Sequence, residues 1–234
     1  MSELWTAWLA YSIGVYAIIS CTALIGWRRN LLPAHDAELP IHIFVPAHNE
    51  ASVIGGLLED LERQTFPKAN FKIIVVDDRS TDATPDVIER YRPRLPIQCM
   101  RIDKLPANVH GKLHAMHLAT SGLSNGSVLF VDADCRVGPR WLETMAKHCG
   151  PGGCAGPVFE LPRKKSLWRE VLSLDQAAVT YPAMGLLARM IPFTASTANM
   201  LLPVQAFRNG LWDRVGTEGT GEDGRILQAQ ASVG

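Results

Sequence analysis

The order of its short apolar runs constrains this chain more than any other feature. Residues 41–45, 72–76, 97–102 and 127–131 are runs dominated by apolar side chains, and the segments 50–63, 84–91 and 112–123 between them repeat apolar residues at spacings of three and four. Runs this short suit strands, and the intervening period suits helices. Strand and helix alternating in this way predict an α/β domain built on a doubly wound parallel sheet. In such a sheet ligands bind beyond the carboxyl ends of the strands, so the residues that end the runs carry the functional information. The first run ends in Pro46-Ala47-His48-Asn49-Glu50, the second in Asp77-Asp78-Arg79-Ser80 and the fourth in Asp132-Ala133-Asp134.

A chain of 234 residues, 47% of them hydrophobic, holds one such domain with a buried core. Basic and acidic side chains balance at 23 each, and no basic stripe is present, which argues against a nucleic-acid partner. The five cysteines, Cys21, Cys99, Cys135, Cys149 and Cys154, are odd in number and scattered, as reduced thiols of a cytoplasmic domain would be. His148, Cys149 and Cys154 stand near a Gly-Pro-Gly-Gly turn, but no second ligand pair follows at zinc-finger spacing.

Residues 4–27 contain no charged side chain. At about 1.5 Å per residue that stretch is long enough to cross roughly 30 Å of hydrocarbon. Trp5 and Trp8 stand near one end and Trp27 at the other, with Arg28-Arg29 immediately after and only Glu3 before. Positive residues on that flank predict a single-pass anchor over residues 1–29 and a cytoplasmic remainder, whereas a cleaved signal peptide would carry its basic residues first. A polar, proline-bounded linker over 30–40 would join the anchor to a domain over 41–234.

Two carboxylates about 4 Å apart repel by roughly 4 kcal/mol at an effective dielectric near 20, so a site that gathers them expects a cation. Asp132 and Asp134 form such a site, and hard oxygen ligands at a sheet rim suit Mg²⁺ or Mn²⁺ with a diphosphate completing the shell. Asp77 and Asp78 either cap the helix over 84–91 or accept from a uracil imide or a ribose hydroxyl. Ser80, Thr81 or Asp82 could supply the cap and free the pair for a ligand. Lys112, behind Gly111, either reaches a phosphate or is a solvated lysine.

Taken in order, these segments resemble the family-2 glycosyltransferases, whose members include cellulose, chitin and hyaluronan synthases. Val45-Pro46-Ala47-His48-Asn49-Glu50 looks like that family's nucleotide-binding strand end, and the segment from Val75 to Asp82 looks like its uracil-contacting segment. Asp132-Ala133-Asp134 looks like its metal motif, Gly221-Glu222-Asp223 like the segment with its general base, and Thr197-Ala198-Asn199-Met200 like the strand before that segment. The resemblance implies a GT-A fold and a metal-dependent, inverting transfer from a nucleotide-sugar. It assigns Pro46, Ala47, His48, Glu50, Asp77, Asp78, Lys112 and Asp132 to the donor, Asp134 with Asp132 to Mn²⁺ or Mg²⁺, and Asp223 to catalysis, with Glu222 its neighbouring competitor.

The Gln-x-x-Arg-Trp segment and the later membrane helices of processive members are absent, which implies a domain short at its C-terminus. A catalytically impaired, membrane-tethered binding module is the alternative that follows. A phospho-acceptor signalling domain fits less well, since it would place the acidic pair on its first strand. Residues 164–193 either rest on the membrane surface, favouring a lipid acceptor over another saccharide, or form an amphipathic core helix broken at Pro182.

Overall fold

The computed structural model describes residues 2–29, 36–107, 109–149, 152–159, 180, 182, 183, 185, 186, 195–215 and 226. The chain divides into two compact units, Met1–Pro33 with Pro157–Ala195, and Ala34–Gly156 with Ser196–Gly234.

In the first unit, helix α1 spans Ser2–Arg29. Its window Trp5–Thr22 is apolar and long enough to cross a bilayer, and none of it is buried, a property that signal sequences share. Two hydroxyls inside the window bond to the helix itself. Ser12 donates to the Trp8 carbonyl at 2.9 Å and Thr22 to that of Ile18 at 2.8 Å, as a helix surrounded by hydrocarbon would require.

The second unit is a six-stranded sheet in the order β3-β2-β1-β4-β6-β5. The strands are β1 Ile41–Ala47, β2 Phe71–Asp78, β3 Ile97–Ile102, β4 Ser127–Phe130, β5 Cys154–Ala155 and β6 Met200–Pro203. Helices α2 Ile54–Glu62, α3 Thr84–Tyr91, α4 Gly111–Ser121 and α5 Trp141–Lys147 connect them, and two short helices, Val204–Arg208 and Leu211–Val215, follow β6. The first four strands pair in parallel, as the alternating pattern predicts.

The sheet as a whole is mixed, however, and this corrects the expectation of a parallel sheet. β6 runs antiparallel to β4, with Phe130 opposite Met200, and β5 runs antiparallel to β6. An antiparallel strand enters at the end where its neighbour leaves, so β6 brings Thr197–Asn199 to the carboxyl edge of β4.

Central strands are apolar on both faces because both are covered. Ile43, Val45, Ile73 and Val75 pack with Leu57, Leu58 and Leu61 of α2 in one cluster. On the other face the Phe44 and Phe130 rings meet edge to face at 5.6 Å. Helix α2 begins at Ile54, four residues after the start of the periodic segment, because Asn49 has a φ of 58° and the Glu50 carbonyl takes the amides of both Val53 and Ile54.

One buried imidazole makes stability depend on pH. His42 is 6% exposed, its Nε2 bonds the Asn125 carbonyl at 3.2 Å and its Nδ1 has no partner. Burial, and secondarily Lys72 opposite it on β2, push its pKa below the ordinary 6.5 despite the opposing Asn125 bond. The ring is therefore neutral in the fold, while the unfolded chain takes up the proton first as the pH falls below 6.5. Stability is lost from that point downward until the folded ring also titrates. Thermal unfolding from about pH 7.5 to about pH 5.5 should show a steeper loss for the unmutated chain than for His42→Asn. Parallel profiles would mean that this ring does not set the dependence.

Candidate functional site

The turns after β1 and β2 are tied together side chain to backbone. The Asn49 amide donates to Ser80 Oγ at 3.0 Å, and Asn49 Oδ1 accepts from the Thr81 amide at 2.8 Å. The Glu50 amide donates to Thr84 Oγ1 at 2.8 Å, and the Ala51 amide to Asp82 Oδ2 at 3.1 Å. Asp82 also accepts from the Thr84 amide and hydroxyl, which holds its carboxyl below the usual range and supplies the helix-start contact that the sequence left among three candidates. Short polar residues suit this work, since Asn tolerates the left-handed backbone that Asn49 adopts.

The two aspartates that end β2 have separate surroundings. Asp77 is buried, its Oδ2 taken by Arg101 Nη1 at 2.6 Å and its Oδ1 by the Ser80 amide at 3.0 Å. Arg101 also donates to the Ser80 carbonyl at 3.2 Å and to Asp103 at 3.1 Å, so it fastens the whole β2 turn. Asp78 is mostly covered, its side chain 13% exposed, and both of its oxygens are held by the two prongs of Arg79, at 2.7 and 3.1 Å. Arg79 has a φ of 60°, which for a residue with a Cβ costs about 1–2 kcal/mol and marks a turn held by its surroundings. His48 Nδ1 donates to the Asp78 carbonyl. Gly111 opens α4 against this carboxylate, and a Cβ there would overlap Asp78 Oδ2.

Beyond β4 the chain turns at Asp132-Ala133-Asp134, closed by the Cys135 amide on the Asp132 carbonyl at 3.1 Å. Lys112 Nζ, from the first turn of α4, sits 3.0 Å from Asp132 Oδ1, so it is no free surface lysine. Asp134 is exposed, whereas Ala133 beside it is buried and seats the turn. Glu50 arrives from the neighbouring strand. Its carboxyl is pushed up first by burial and then by the charges of Asp134, Asp82 and Asp132, which places it within electrostatic reach of the β4 pair. The Cys135 thiol is pushed up to about 11 by burial and by the same two aspartates. Among the described residues no three His, Cys, Asp or Glu side chains stand close enough to cage a metal.

Of the sequence candidates, Glu50, Lys112, Asp132 and Asp134 meet at one edge and His48, Asp77 and Asp78 lie beside them on β1 and β2. Pro46 and Ala47 end β1 opposite Val76 and Asp77. Glu222 and Asp223 lie outside the described residues. His148 Nδ1 donates to the Thr144 carbonyl at 2.9 Å, at the end of α5, while the Cys154 thiol donates to the Met145 carbonyl at 3.7 Å. One contributor escaped the sequence, and a second was read only as part of a strand segment. Arg101 ends the third apolar run and was open to the same inspection as the other three ends. Asn199 accepts from Trp141 Nε1 at 2.9 Å and, through its carbonyl, from Gly156 at 2.8 Å, fixing the turn before β6.

The mixed sheet with acidic turns at its carboxyl edge has the fold of GT-A glycosyltransferases. The family model for glycosyl transferase family 2 matches residues 42–208, and the chain belongs to that family. Poly(ribitol-phosphate) beta-N-acetylglucosaminyltransferase TarS of Staphylococcus aureus (strain Mu50) is 35% identical over 104 residues, 44% of this chain and 18% of the relative. The probable glycosyltransferase YdaM of Bacillus subtilis (strain 168) is 36% identical over 110 residues, 46% of this chain and 25% of the relative. The chain thus matches well under two thirds of the length of these relatives.

Two solved structures carry the same fold. The mannosyltransferase PcManGT from Pyrobaculum calidifontis, in complex with GDP-Man and Mn²⁺, superposes with a TM-score of 0.60 at 21% identity, covering 95% of this chain and 63% of that one. S. aureus TarS 1-349 in complex with UDP-GlcNAc superposes at 0.57 with 21% identity, covering 82% of this chain and 53% of that one.

Proposed function

We propose that this chain transfers a sugar from a nucleotide-diphosphate sugar, UDP-linked in the first instance, to an acceptor hydroxyl with inversion at the anomeric carbon and with the help of Mn²⁺ or Mg²⁺. The observation that carries this reading is the convergence of Glu50, Asp132 and Asp134, with Lys112, at the carboxyl edge of two adjacent parallel strands. The donor set fits a hard divalent cation. Both aspartates of the turn offer oxygen, and the Glu50 carboxyl, pushed up first by burial and then by charges that include both of them, marks a gathering of negative charge that a divalent ion would offset.

Asp134 and Asp132 would hold the ion, leaving positions for phosphate oxygens. When bound, it would neutralise the charge that develops on the leaving diphosphate as the glycosidic bond breaks. Lys112 brings a fixed positive charge to the same edge. Asp78 would meet a uracil imide or ribose hydroxyl by exchanging a contact with the half-exposed Arg79, while Asp77, buried between Arg101 and the Ser80 amide, keeps the turn in shape. The acceptor proton would pass to Asp223. Helix α1 would anchor the domain, with Arg28-Arg29 keeping it on the cytoplasmic side and close to a lipid or saccharide acceptor at the membrane.

The experiment is donor binding and turnover by the full chain in detergent. UDP-sugars with Mn²⁺ should raise the unfolding temperature, a chelator should remove most of that rise, and slow release of UDP should follow. Stabilisation without release would favour a binding module over an enzyme. No stabilisation by UDP- or GDP-sugars with Mn²⁺ would sink the proposal.

A further inference from the structure

One side of α2 is tied to the backbone that follows the Asp132–Asp134 turn. Positions 56, 60 and 64 recur every four residues and so share a side of α2 and its C-terminal extension. Asp60 is nearly buried, its side chain 9% exposed, and grips Arg136 with both oxygens, Oδ2 to Nε at 2.6 Å and Oδ1 to Nη2 at 2.8 Å. Asp60 Oδ2 also accepts from the Val137 amide at 3.1 Å. The Arg136 side chain crosses α2 at Gly56, where a Cβ would come within 3.3 Å of Nη1. Gln64 Nε2 donates to the Gly138 carbonyl at 2.8 Å, and its Oε1 accepts from the Leu142 amide at 2.9 Å. The Thr65 amide adds a bond to the Pro139 carbonyl at 2.8 Å.

On the other side of the turn, the Val131 amide bonds the Phe44 carbonyl at 3.1 Å and so fixes the chain to β1. The acidic turn therefore hangs between two fixed points, β1 before it and the α2 latch after it. Arg136 is two residues from Asp134, so a shift at the latch is passed to that carboxylate with little chain to absorb it.

An ion pair between a nearly buried carboxylate and an arginine whose side chain is 57% exposed is weak evidence for stability; fixing a register is a better-attested use of such pairs. We propose that Asp60 is a positioning residue, which through its grip on Arg136 and the Val137 amide sets where Asp134 stands for the metal and diphosphate. The inference rests on the proposed nucleotide-sugar site and assigns that site a support from outside it.

The test is calorimetry of the full chain in detergent, titrating UDP with and without Mn²⁺, for the unmutated protein, Asp60→Asn, Arg136→Lys and Ile88→Val. Asn keeps the shape and one acceptor but not the two-pronged charge contact. Lys keeps the charge and loses the fork. Ile88→Val removes one buried methyl on α3, outside the hydrogen bonds of the latch, and serves as a control for lost stability. Asp60→Asn should weaken Mn²⁺-dependent UDP affinity by about tenfold or more, as loss of outer support does at metal sites, and leave metal-free UDP affinity within about twofold. Arg136→Lys should follow it in the same direction, which keeps the test decisive should Asp60→Asn fail to fold. Ile88→Val should lower the unfolding temperature without touching the Mn²⁺ dependence. If the latch variants lose stability as the control does and keep their Mn²⁺ dependence, the latch is structural only and the inference fails alone. If the unmutated chain shows no Mn²⁺-dependent UDP binding, the proposed function fails and the inference with it.

Discussion

Asp134→Ala should cost the chain at least about a hundredfold in Mn²⁺-dependent affinity for a UDP-sugar, equivalent to about 2.7 kcal/mol. The expectation follows from how few oxygen donors this edge offers. Asp132 already shares its charge with Lys112 at 3.0 Å, and Glu50 is partly buried, so Asp134 is the exposed carboxylate best able to meet an incoming cation. An octahedral ion held by one or two carboxylates and a diphosphate has little protein to fall back on when one ligand is removed. Stability should barely change, since an exposed side chain leaves no cavity behind. Calorimetry with UDP and Mn²⁺ separates these effects, with the unfolding temperature measured alongside. Equal affinity in the two proteins would reduce the Asp-Ala-Asp segment to an ordinary turn.

Asp223→Asn is expected to leave UDP and Mn²⁺ affinity intact while lowering transfer at least about a hundredfold, because a positioned base contributes typically 10² to 10⁴ in rate. The acceptor hydroxyl is a weak nucleophile, and a carboxylate on the face opposite the leaving diphosphate can take its proton as the new bond forms. Asn keeps the size and most of the helix-capping ability of Asp, so a residue that merely capped the following segment would lose about 1 kcal/mol of stability at most and little activity. Glu222→Gln is the informative companion. Should that variant lose transfer and Asp223→Asn keep it, the base is Glu222. The comparison needs an acceptor or measurable donor hydrolysis, so the turnover experiment on the unmutated chain comes first.

The site was legible in the sequence to the extent that it depends on strand ends. The runs at 41–45, 72–76, 97–102 and 127–131 became the four parallel strands β1 to β4, and the helix over 84–91 has the bounds its periodicity implies. β1 and β2 extend further than their apolar runs, to Ala47 and Asp78, because parallel pairing with a neighbour continues through polar residues and through Pro46. That extension places His48 and Arg79 immediately beyond the strand ends, at the functional edge.

Other features belong to contacts between distant segments. β6 was foreshadowed only by a resemblance, and its antiparallel direction by nothing, because four residues ending in a proline carry too little pattern to fix an orientation. Arg101 and Asp77 are separated by 24 residues, and Asp60 and Arg136 by 76. A charged residue on a helix reads as solvated until the fold shows what faces it. The sequence alone determined which four runs become parallel strands, the acidic residues that end them and the apolar N-terminal segment, since each is written in local periodicity and the residues that end it. Which arginine holds each aspartate of the β2 pair, that Lys112 reaches Asp132, and that α2 holds the chain beyond Asp134 were decided by tertiary structure. Those outcomes depend on which side chains packing brings within hydrogen-bond reach, a property that no single segment carries.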